Sequence, residues 1–287
     1  MSGGIRLLVS DIDGTLVRHD KSLAEPVIAA VARLQAAGLR LSLISARPPS
    51  GMCWIAERLG LDGEIAAFNG ATIVTADGRV ISADRLDPAC AARALALIDA
   101  PGVTPWLFAD GRWYVRTLDN PKIARERLAA NVEPQLVDDF SGLIARVDKI
   151  VGVSDDHALL AQLDDAVAAA LSTTATVARS QPYYLDVTTR RGNKGDGLAA
   201  LAQAAGLPLS AVAAIGDQRN DLPMFARAGL SIAMGQGPEE VRAAAMRVTL
   251  SNEQDGVAHA IDEIVLPMAR REPASGDGPA SSAGENR

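Results

Sequence analysis

Two carboxylates one residue apart, Asp11 and Asp13, follow a short apolar run near the beginning of the sequence. Residues i and i+2 of a strand point to the same face, and Gly14 permits a tight turn directly afterwards. If the apolar run is a buried strand, both side chains emerge at the carboxyl edge of a sheet, where open parallel sheets bind ligands. Two like charges repel there unless a cation or a shared proton relieves them. A solvated junction between a strand and a turn, where Asp and Gly are common, accounts for these residues equally well.

Two further polar residues could bind an anion. Ser45 ends a second apolar run and is followed by Ala46 and Arg47. Its hydroxyl can hydrogen-bond a phosphate oxygen, although Ser45 taken alone is better explained as a helix cap. Lys194 lies in the segment Gly-Asn-Lys-Gly. A lone lysine is usually solvated, but glycines on both sides indicate close approach of the backbone to another group, so both interpretations stay open.

A third group of polar side chains follows another apolar run. Asp217, Asn220 and Asp221 belong to the segment Gly-Asp-Gln-Arg-Asn-Asp. Acidic residues directly after a buried strand are unusual loop residues, although Asp221 also suits a helix N-cap. The pair Asn69-Gly70 follows a further apolar run and is better explained as a type I′ turn than as part of a site.

Strands and helices alternate in the two outer parts of the chain. Residues 22–25 resemble a capping box for the first helix, with Pro26 able to shift the start, and Gly38 can end that helix. This βα alternation predicts an α/β fold with a Rossmann-like, mostly parallel sheet and helices on both faces. The predicted strands are 5–9, 41–45, 65–68, 72–74, 212–215, 230–233 and 248–250, and the later predicted helices are 50–59, 194–205, 221–228, 238–246 and 257–264.

The middle of the chain has a different pattern. Helices are predicted to begin at Asp87-Pro88 and at Asn120-Pro121, and a hairpin is predicted around Asp110-Gly111. We therefore predict an inserted α+β domain at residues 84–186, between the two parts of a discontinuous core domain. Those parts are residues 1–83 and 187–271. Residues 272–287 are rich in Gly, Pro, Ser and Ala without periodicity and are predicted to form a disordered tail.

Composition excludes several classes of protein. The chain has 287 residues, of which 48% are hydrophobic, and its net charge of −7 argues against a general nucleic-acid or anionic-membrane surface. Its two cysteines have no metal-ligand spacing and fit a reduced protein. We expect a cytoplasmic protein, because the first residues lack the apolar segment of a signal peptide and no apolar stretch could span a bilayer. The sequence gives no indication of the oligomeric state.

The four motifs occur in the order typical of the haloacid dehalogenase-like (HAD) superfamily, and the chain resembles that superfamily over residues 5–265. The motifs are Asp-Ile-Asp-Gly-Thr-Leu, a strand-end Ser, Gly-Asn-Lys-Gly and Gly-Asp-Gln-Arg-Asn-Asp. The large insertion between the second and third motifs resembles the C2-type cap of the Cof-type subfamily. One departure is Ala46, where the subfamily more usually has Gly; Ala46 still offers its backbone N–H if its φ is negative.

The resemblance implies Mg²⁺-dependent phosphoryl transfer through an aspartyl-phosphate. Asp11 would be the nucleophile, and Asp13 would act as the general acid and base. Mg²⁺ would be held by the carboxylates of Asp11 and Asp217 and by the backbone carbonyl of Asp13. Asp221 would orient Lys194 or the surroundings of the metal. The groups expected to bind the phosphoryl oxygens are Ser45, Lys194 and Asn220. Ala46 and Arg47 are also expected to bind the substrate.

The expected substrate is a small phosphorylated metabolite, with sugar phosphates as one class. A phosphomutase on the same core and a non-catalytic binding protein are the alternatives. No positive sign of a mutase is present, and the complete set of motif residues argues against a binding protein. Residues that could contact the leaving group are Trp113, Tyr114, His157, Tyr183 and Arg47. Packing within the cap is the better explanation of Trp113 and Tyr183, and a solvated helix start is the better explanation of His157.

Overall fold

The computed structural model describes residues 4–269. Its strands are β1 Leu7–Ser10, β2 Arg40–Leu43, β3 Glu64–Ala67, β4 Thr72–Thr75, β5 Val80–Ala83, β6 Thr104–Ala109, β7 Arg112–Val115, β8 Pro134–Leu136, β9 Val147–Val153, β10 Ala175–Gln181, β11 Tyr184–Thr189, β12 Val212–Gly216, β13 Leu230–Ala233 and β14 Arg247–Val248. Its helices are α1 Glu25–Ala36, α2 Ser50–Arg58, α3 Pro88–Ile98, α4 Ile123–Ala130, α5 His157–Leu171, α6 Lys194–Ala204, α7 Leu222–Phe225, α8 Glu239–Ala244, α9 Gly256–Ala260 and α10 Leu266–Ala269. A π-helical turn, Ile261–Val265, joins the last two helices.

The central sheet has five parallel strands in the order β14-β13-β12-β1-β2. Strand β1 lies between β12 and β2, and alternation sends Leu8 to one face and Leu7 and Val9 to the other. Leu8 packs with α1, α2 and α9, while Leu7 and Val9 pack with α6, α7 and α8. The predicted α/β sheet with helices on both faces is confirmed.

A short antiparallel sheet, β3-β4-β5, extends the core beside β2. The connection from β3 to β4 contains Asn69 and Gly70, which both have positive φ, and Ala71 N–H donates to the carbonyl of Phe68. These φ values suit the predicted type I′ turn. Strand β5 was not predicted; its four residues are all exposed, which removes the alternation that marks a buried strand.

The inserted region forms a six-stranded sheet of order β10-β11-β9-β6-β7-β8. Helices α3 and α5 cover one face. The other face packs against the core and carries Trp106, Phe108 and Trp113, with the rings of Trp106 and Trp113 edge to face at 5.0 Å. The predicted packing role of Trp113 is thus confirmed. The domain division itself stays a prediction, but β11 pairs with β9 as far as Thr188, so residues 187 and 188 belong to this sheet.

The predicted capping box at residues 22–25 is wrong. Helix α1 begins at Glu25 after Ala24, which offers no side chain to cap it, and Pro26 occupies the first turn. The hydroxyl of Ser22 donates instead to Asp20, 2.6 Å away, in the preceding turn. Proline has no backbone N–H and therefore suits the first turn of a helix. The absence of a side-chain cap thus costs this helix little stability.

Several element bounds also differ by a few residues. Strand β14 ends at Val248 rather than at 250. Helix α4 begins at Ile123, three residues after Asn120. The Asn120 side chain accepts a hydrogen bond from the N–H of Lys122, just before the helix. The predicted tail lies outside the described residues. Within residues 4–269, no helix is long and apolar enough to cross a membrane.

Candidate active site

The polar groups of the four motifs meet at the carboxyl edge of the central sheet. Asp11 follows β1, Ser45 lies just beyond β2, and Asp217 follows β12. Lys194 begins α6, whose first turn approaches the same edge. Parallel strands end on one side of the sheet, so residues that are far apart in sequence share a site.

Lys194 joins two of the carboxylates. Its ammonium lies 2.6 Å from Asp11 Oδ1 and 2.5 Å from Asp221 Oδ1, and it is 1% exposed. The second oxygen of Asp221 accepts the backbone N–H groups of Asp217 and Gln218, each at 2.8 Å. Asp221 therefore holds both Lys194 and the loop after β12, and both of its oxygens are engaged.

The carboxylates of Asp11, Asp217 and Asp221 offer oxygens within 4.8 Å of one another, with one lysine to balance them. Burial and the neighbouring carboxylates raise the pKa of Asp11 to about 6, although Lys194 opposes the shift. Burial, with Asp11 and Asp221 beside it, also raises the pKa of Asp217 well above its ordinary value. Crowded, buried carboxylate oxygens are the ligands that a hard divalent cation prefers, so these residues fit Mg²⁺.

Gly14 makes the approach of Asp217 possible. It has a φ of +84°, and a Cβ there would lie 2.5 Å from an oxygen of Asp217. Thr15, the next residue, donates its hydroxyl to Asp217 Oδ1 at 2.9 Å. Gly14 and Thr15 of the first motif thus bring the loop after β1 against the loop after β12, next to the carboxylates.

Asp13 has opposite surroundings. Arg47 donates to both of its oxygens, at 2.7 and 2.8 Å, and the ammonium of Lys21 also contacts it. Burial alone would raise the pKa of the Asp13 carboxyl, but Arg47 and Lys21 outweigh burial and hold that pKa well below its usual range. Lys21 was missed by the sequence analysis. It lies in a turn with a φ of 71°, and no local pattern predicts where its side chain points.

Ser45, Ala46 and Arg47 form the loop that we call the phosphate loop. Ser45 is 1% exposed, and its hydroxyl accepts the Arg47 N–H at 3.2 Å. Ala46 has a negative φ, so it can stand where the subfamily more usually has Gly and still offer its backbone N–H. The guanidinium of Arg47 also donates to the Gly51 carbonyl at 2.9 Å, which anchors this side chain to the start of α2.

Asn220 lies beside the turn that follows β3. Its amide nitrogen donates to Asn69 Oδ1 at 3.3 Å, while its own Oδ1 is buried without a hydrogen-bond partner within residues 4–269. Close backbone contact holds this turn against α6, because a Cβ on Gly70 would lie 2.6 Å from the Cα of Gly197. Asn69 is therefore both the predicted turn residue and a neighbour of the site.

Side chains of the inserted sheet and of α4 close the pocket over Asp11 and Asp13. Glu126 is 6% exposed, and burial raises the pKa of its carboxyl. Tyr183, for which packing within the cap was the preferred explanation, lines the pocket instead, whereas Trp113, Tyr114 and His157 do not. The pocket-lining residues of this region are Arg125, Glu126, Ala129, Lys149, Val151, Ser180, Gln181, Tyr183 and Tyr184.

The pocket combines a carboxylate next to a cation site with a second carboxylate that is paired with two cations. The first arrangement can deliver a nucleophile to an anionic centre, and the second can exchange a proton. Lys194, Ser45 and Asn220 supply hydrogen-bond donors near Asp11.

Comparisons with known proteins agree with this geometry. A protein of Bacillus subtilis named "Putative phosphatase YxeH" is 29% identical over 275 residues, which covers 91% of this chain and 98% of the relative. A Haemophilus influenzae protein named "Putative phosphatase" is 26% identical over 259 residues, covering 90% and 97%. The crystal structure of a haloacid dehalogenase-like hydrolase from Bacteroides thetaiotaomicron superposes with a TM-score of 0.79 at 28% identity, covering 91% of this chain and 99% of that one.

The sequence profile of the haloacid dehalogenase-like hydrolases matches residues 8–261, from within β1 to the π-helical turn. The match includes all four motifs and the inserted sheet. The resemblance found in the sequence is thereby confirmed, and the chain belongs to the haloacid dehalogenase-like hydrolases.

Proposed function

We propose that the protein is a Mg²⁺-dependent phosphatase that hydrolyses small phosphorylated metabolites through an aspartyl-phosphate on Asp11. The observation that carries the proposal is the opposite charge balance on the two sides of the pocket. Three carboxylates and one lysine lie around Asp11, while two cations, Arg47 and Lys21, pair directly with Asp13. A divalent cation and a phosphate dianion complement these two sides.

Three residues would hold the metal: Asp11 and Asp217 through their carboxylates, and Asp13 through its backbone carbonyl. Asp221 is not an expected ligand, because Lys194 and two backbone N–H groups already engage its oxygens. Bound Mg²⁺ would screen the repulsion between Asp11 and the phosphate and polarise the phosphoryl group.

In the first step, a carboxylate oxygen of Asp11 attacks phosphorus and the bond to the leaving oxygen breaks. Lys194 lies within hydrogen-bond distance of Asp11 and would share its charge with the transferring phosphoryl group. The Ser45 hydroxyl and the Asn220 amide would donate to the remaining phosphoryl oxygens. Water then attacks the phosphorus of the aspartyl-phosphate and restores the Asp11 carboxylate.

Asp13 would serve both steps. Arg47 and Lys21 keep it ionised in the free enzyme, which suits the second step, where it accepts a proton from water. For the first step it needs a proton to give to the leaving oxygen. A substrate dianion near Arg47 and Lys21 would compete with Asp13 for these cations, which raises the pKa of Asp13 and favours its protonated form.

The residues over the pocket fit a leaving group with hydroxyls, and sugar phosphates are one such class. Glu126 and Tyr184 can accept or donate hydrogen bonds, and the ring of Tyr183 offers an apolar surface. Neither a mutase nor a non-catalytic protein is favoured by a specific feature. We also propose a cytoplasmic location, which the two unpaired cysteines support.

A phosphate-release screen tests the proposal. Purified protein is incubated with a panel of phosphorylated metabolites, with Mg²⁺ or with a chelator, and both inorganic phosphate and isomeric products are measured. We expect Mg²⁺-dependent phosphate release that is lost in Asp11→Asn. Release that persists in chelator or in Asp11→Asn would contradict the metal and the nucleophile, and an isomer without phosphate would indicate the mutase.

A further inference from the structure

Lys149 is a buried cation that reaches from the inserted sheet to the phosphate loop. It belongs to β9 and is 3% exposed. Its ammonium donates to the carbonyl of Ala46 at 2.9 Å, and it lies 4.9 Å from the ring centroid of Phe108. A lysine almost never occupies such a position unless its charge is paired.

The pairing of Lys149 is incomplete within its own sheet. Asp186 lies diagonally across on β11, opposite Val151, with a carboxylate oxygen 3.6 Å from the ammonium, and it is 1% exposed. Both oxygens of Asp186 are buried without a hydrogen bond among the described residues. Two charges that were buried only to stabilise the sheet would be expected to bond directly to each other. The hydrogen bond of Lys149 goes instead across the boundary to Ala46.

That hydrogen bond fixes one peptide plane of the phosphate loop. In a trans peptide the carbonyl of Ala46 and the N–H of Arg47 point in opposite directions. Lys149 holds the carbonyl from the side of the inserted sheet, and Ser45 holds the N–H with its hydroxyl. The next side chain along the loop, Arg47, is the one that clamps Asp13.

We propose that Lys149 is a positioning residue that couples docking of the inserted domain to the alignment of the phosphate loop and of Arg47. The proposal rests on the phosphatase function inferred above. It assigns Lys149 to the loop backbone rather than to the leaving group. Loss of Lys149 should therefore lower turnover for all substrates alike, whatever their leaving group.

The first test is Lys149→Met, which keeps the length and the apolar stem of the side chain but removes the donor. We expect kcat to fall about 10- to 100-fold, the usual range for residues that orient a catalytic group, with a smaller change in KM. The fall should be the same for an aryl phosphate and for a sugar phosphate. Loss confined to one leaving group, or an unchanged kcat, would overturn the proposal.

A second measurement does not depend on turnover. Exposed Arg85, Arg190 and Arg191 lie in the two connections between the domains and are trypsin sites. Lys149→Met, without metal or substrate, should be cleaved there several times faster than the wild type. Equal cleavage rates would overturn the coupling, and this result holds even if the protein proves not to be a phosphatase.

Stability must be separated from positioning, because Lys149→Met leaves the buried carboxyl groups of Asp186 and Glu126 without this cation and should lower Tm. The double variant Lys149→Met/Asp186→Asn removes one of these two orphaned charges and should recover part of the Tm while kcat stays low. Recovery of kcat together with Tm would show that Lys149 is merely structural. Arg116→Met is the matched control, since Arg116 pairs with Asp99 within the inserted domain and does not line the pocket, and it should change neither kcat nor cleavage in the two connections.

Discussion

Asp11 and Asp13 are the same residue type, two positions apart, yet their surroundings differ in sign. Asp11 shares one lysine with Asp221, with Asp217 beside them, and burial and crowding raise the pKa of Asp11 to about 6. Asp13 is paired directly with two cations, and its pKa is held well below the ordinary range. The difference teaches that the neighbours, rather than the carboxyl group, assign the chemical role.

Under the proposed function, the two sides would bind two kinds of ligand. A buried excess of carboxylate attracts a cation, and an excess of cation attracts a phosphate. Because the two sides are adjacent, a metal and a phosphate can neutralise both at once. The predictions below test this comparison, beginning with the largest expected effect.

Asp11→Asn removes the proposed nucleophile and one negative charge from the side of the pocket that holds Asp11, Asp217 and Asp221, which we call the crowded side. We expect kcat to fall by about 10³-fold or more, since loss of a covalent nucleophile is among the most damaging changes to an enzyme. The fold should persist, because Lys194 retains Asp221 as a partner. Phosphate release and circular dichroism of the purified variant provide the measurement. A folded variant with near-normal release would remove Asp11 from its role.

Asp217→Asn and Lys194→Met separate the metal from the phosphate on the crowded side. Asp217→Asn should weaken Mg²⁺ binding, so that excess Mg²⁺ restores part of the activity. Lys194→Met should lower activity by about 10²-fold through lost charge stabilisation, and Mg²⁺ should not restore it. Activity is measured across a Mg²⁺ titration for both variants. Rescue of Lys194→Met by metal, with none for Asp217→Asn, would reverse the two assignments.

These groups could be predicted from sequence because each lies at a strand end or a helix start. The βα alternation fixes a parallel sheet, and a parallel sheet brings the ends of β1, β2 and β12 to one edge. The structure places Asp11, Ser45 and Asp217 there accordingly. Their roles in the reaction stay predictions.

The side chains that the sequence did not reveal depend on longer-range packing. Lys21 reaches Asp13 from a turn with positive φ, and Glu126 and Lys149 reach the pocket from an inserted domain whose docking no local pattern encodes. The wrong capping box has a similar cause. Ser22 bonds to Asp20 in the preceding turn rather than to α1, so the motif has the right residues but lies outside the helix.

Asp13→Asn tests the other side of the pocket, where Arg47 and Lys21 pair with Asp13. The variant keeps the backbone carbonyl but loses the proton-exchanging group, so kcat should fall about 10²-fold for a substrate with a poor leaving group. An aryl phosphate, whose leaving oxygen hardly needs a proton, should be affected far less in the formation of the aspartyl-phosphate. Burst kinetics with the two substrate types measure this step. Equal losses on both would contradict the acid/base assignment.

The metal-free protein should lose stability as the pH rises through about 6. Asp11 has a folded pKa of about 6, above its ordinary value, so the folded protein binds this proton more tightly than the unfolded chain. Its stabilising effect is complete at low pH and is lost as the pH passes the folded pKa. A loss on the order of 1 kcal/mol is expected between pH 5 and 7.5.

Thermal or urea unfolding at several pH values, with and without Mg²⁺, measures this loss. Saturating Mg²⁺ should remove the decline, because it stabilises the ionised carboxylates, and Asp11→Asn should reduce it. The low pKa of Asp13 contributes in the opposite direction, but only when the pH falls below the ordinary carboxyl range. A stability that rises from pH 5 to 7.5 in the absence of metal would contradict the raised pKa values of the crowded side.

The smallest expected effect comes from Lys21→Met, which removes one of the two cations beside Asp13. Arg47 keeps its two hydrogen bonds to Asp13, so the carboxylate stays in place and the fold should be unaffected. The ion pair of Lys21 is only 12% and 16% exposed, so its charge is screened less than that of a surface pair. With only Arg47 left to pair with Asp13, this side of the pocket should attract a phosphate less strongly. We expect inhibition by inorganic phosphate to weaken about 3- to 10-fold, with kcat changed less.

Arg58→Met is the control for loss of a remote, exposed charge, and it should leave the inhibition constant unchanged. If phosphate inhibits Lys21→Met as well as the wild type, the excess of cation around Asp13 is not what attracts the phosphate, and Arg47 and Lys194 must suffice.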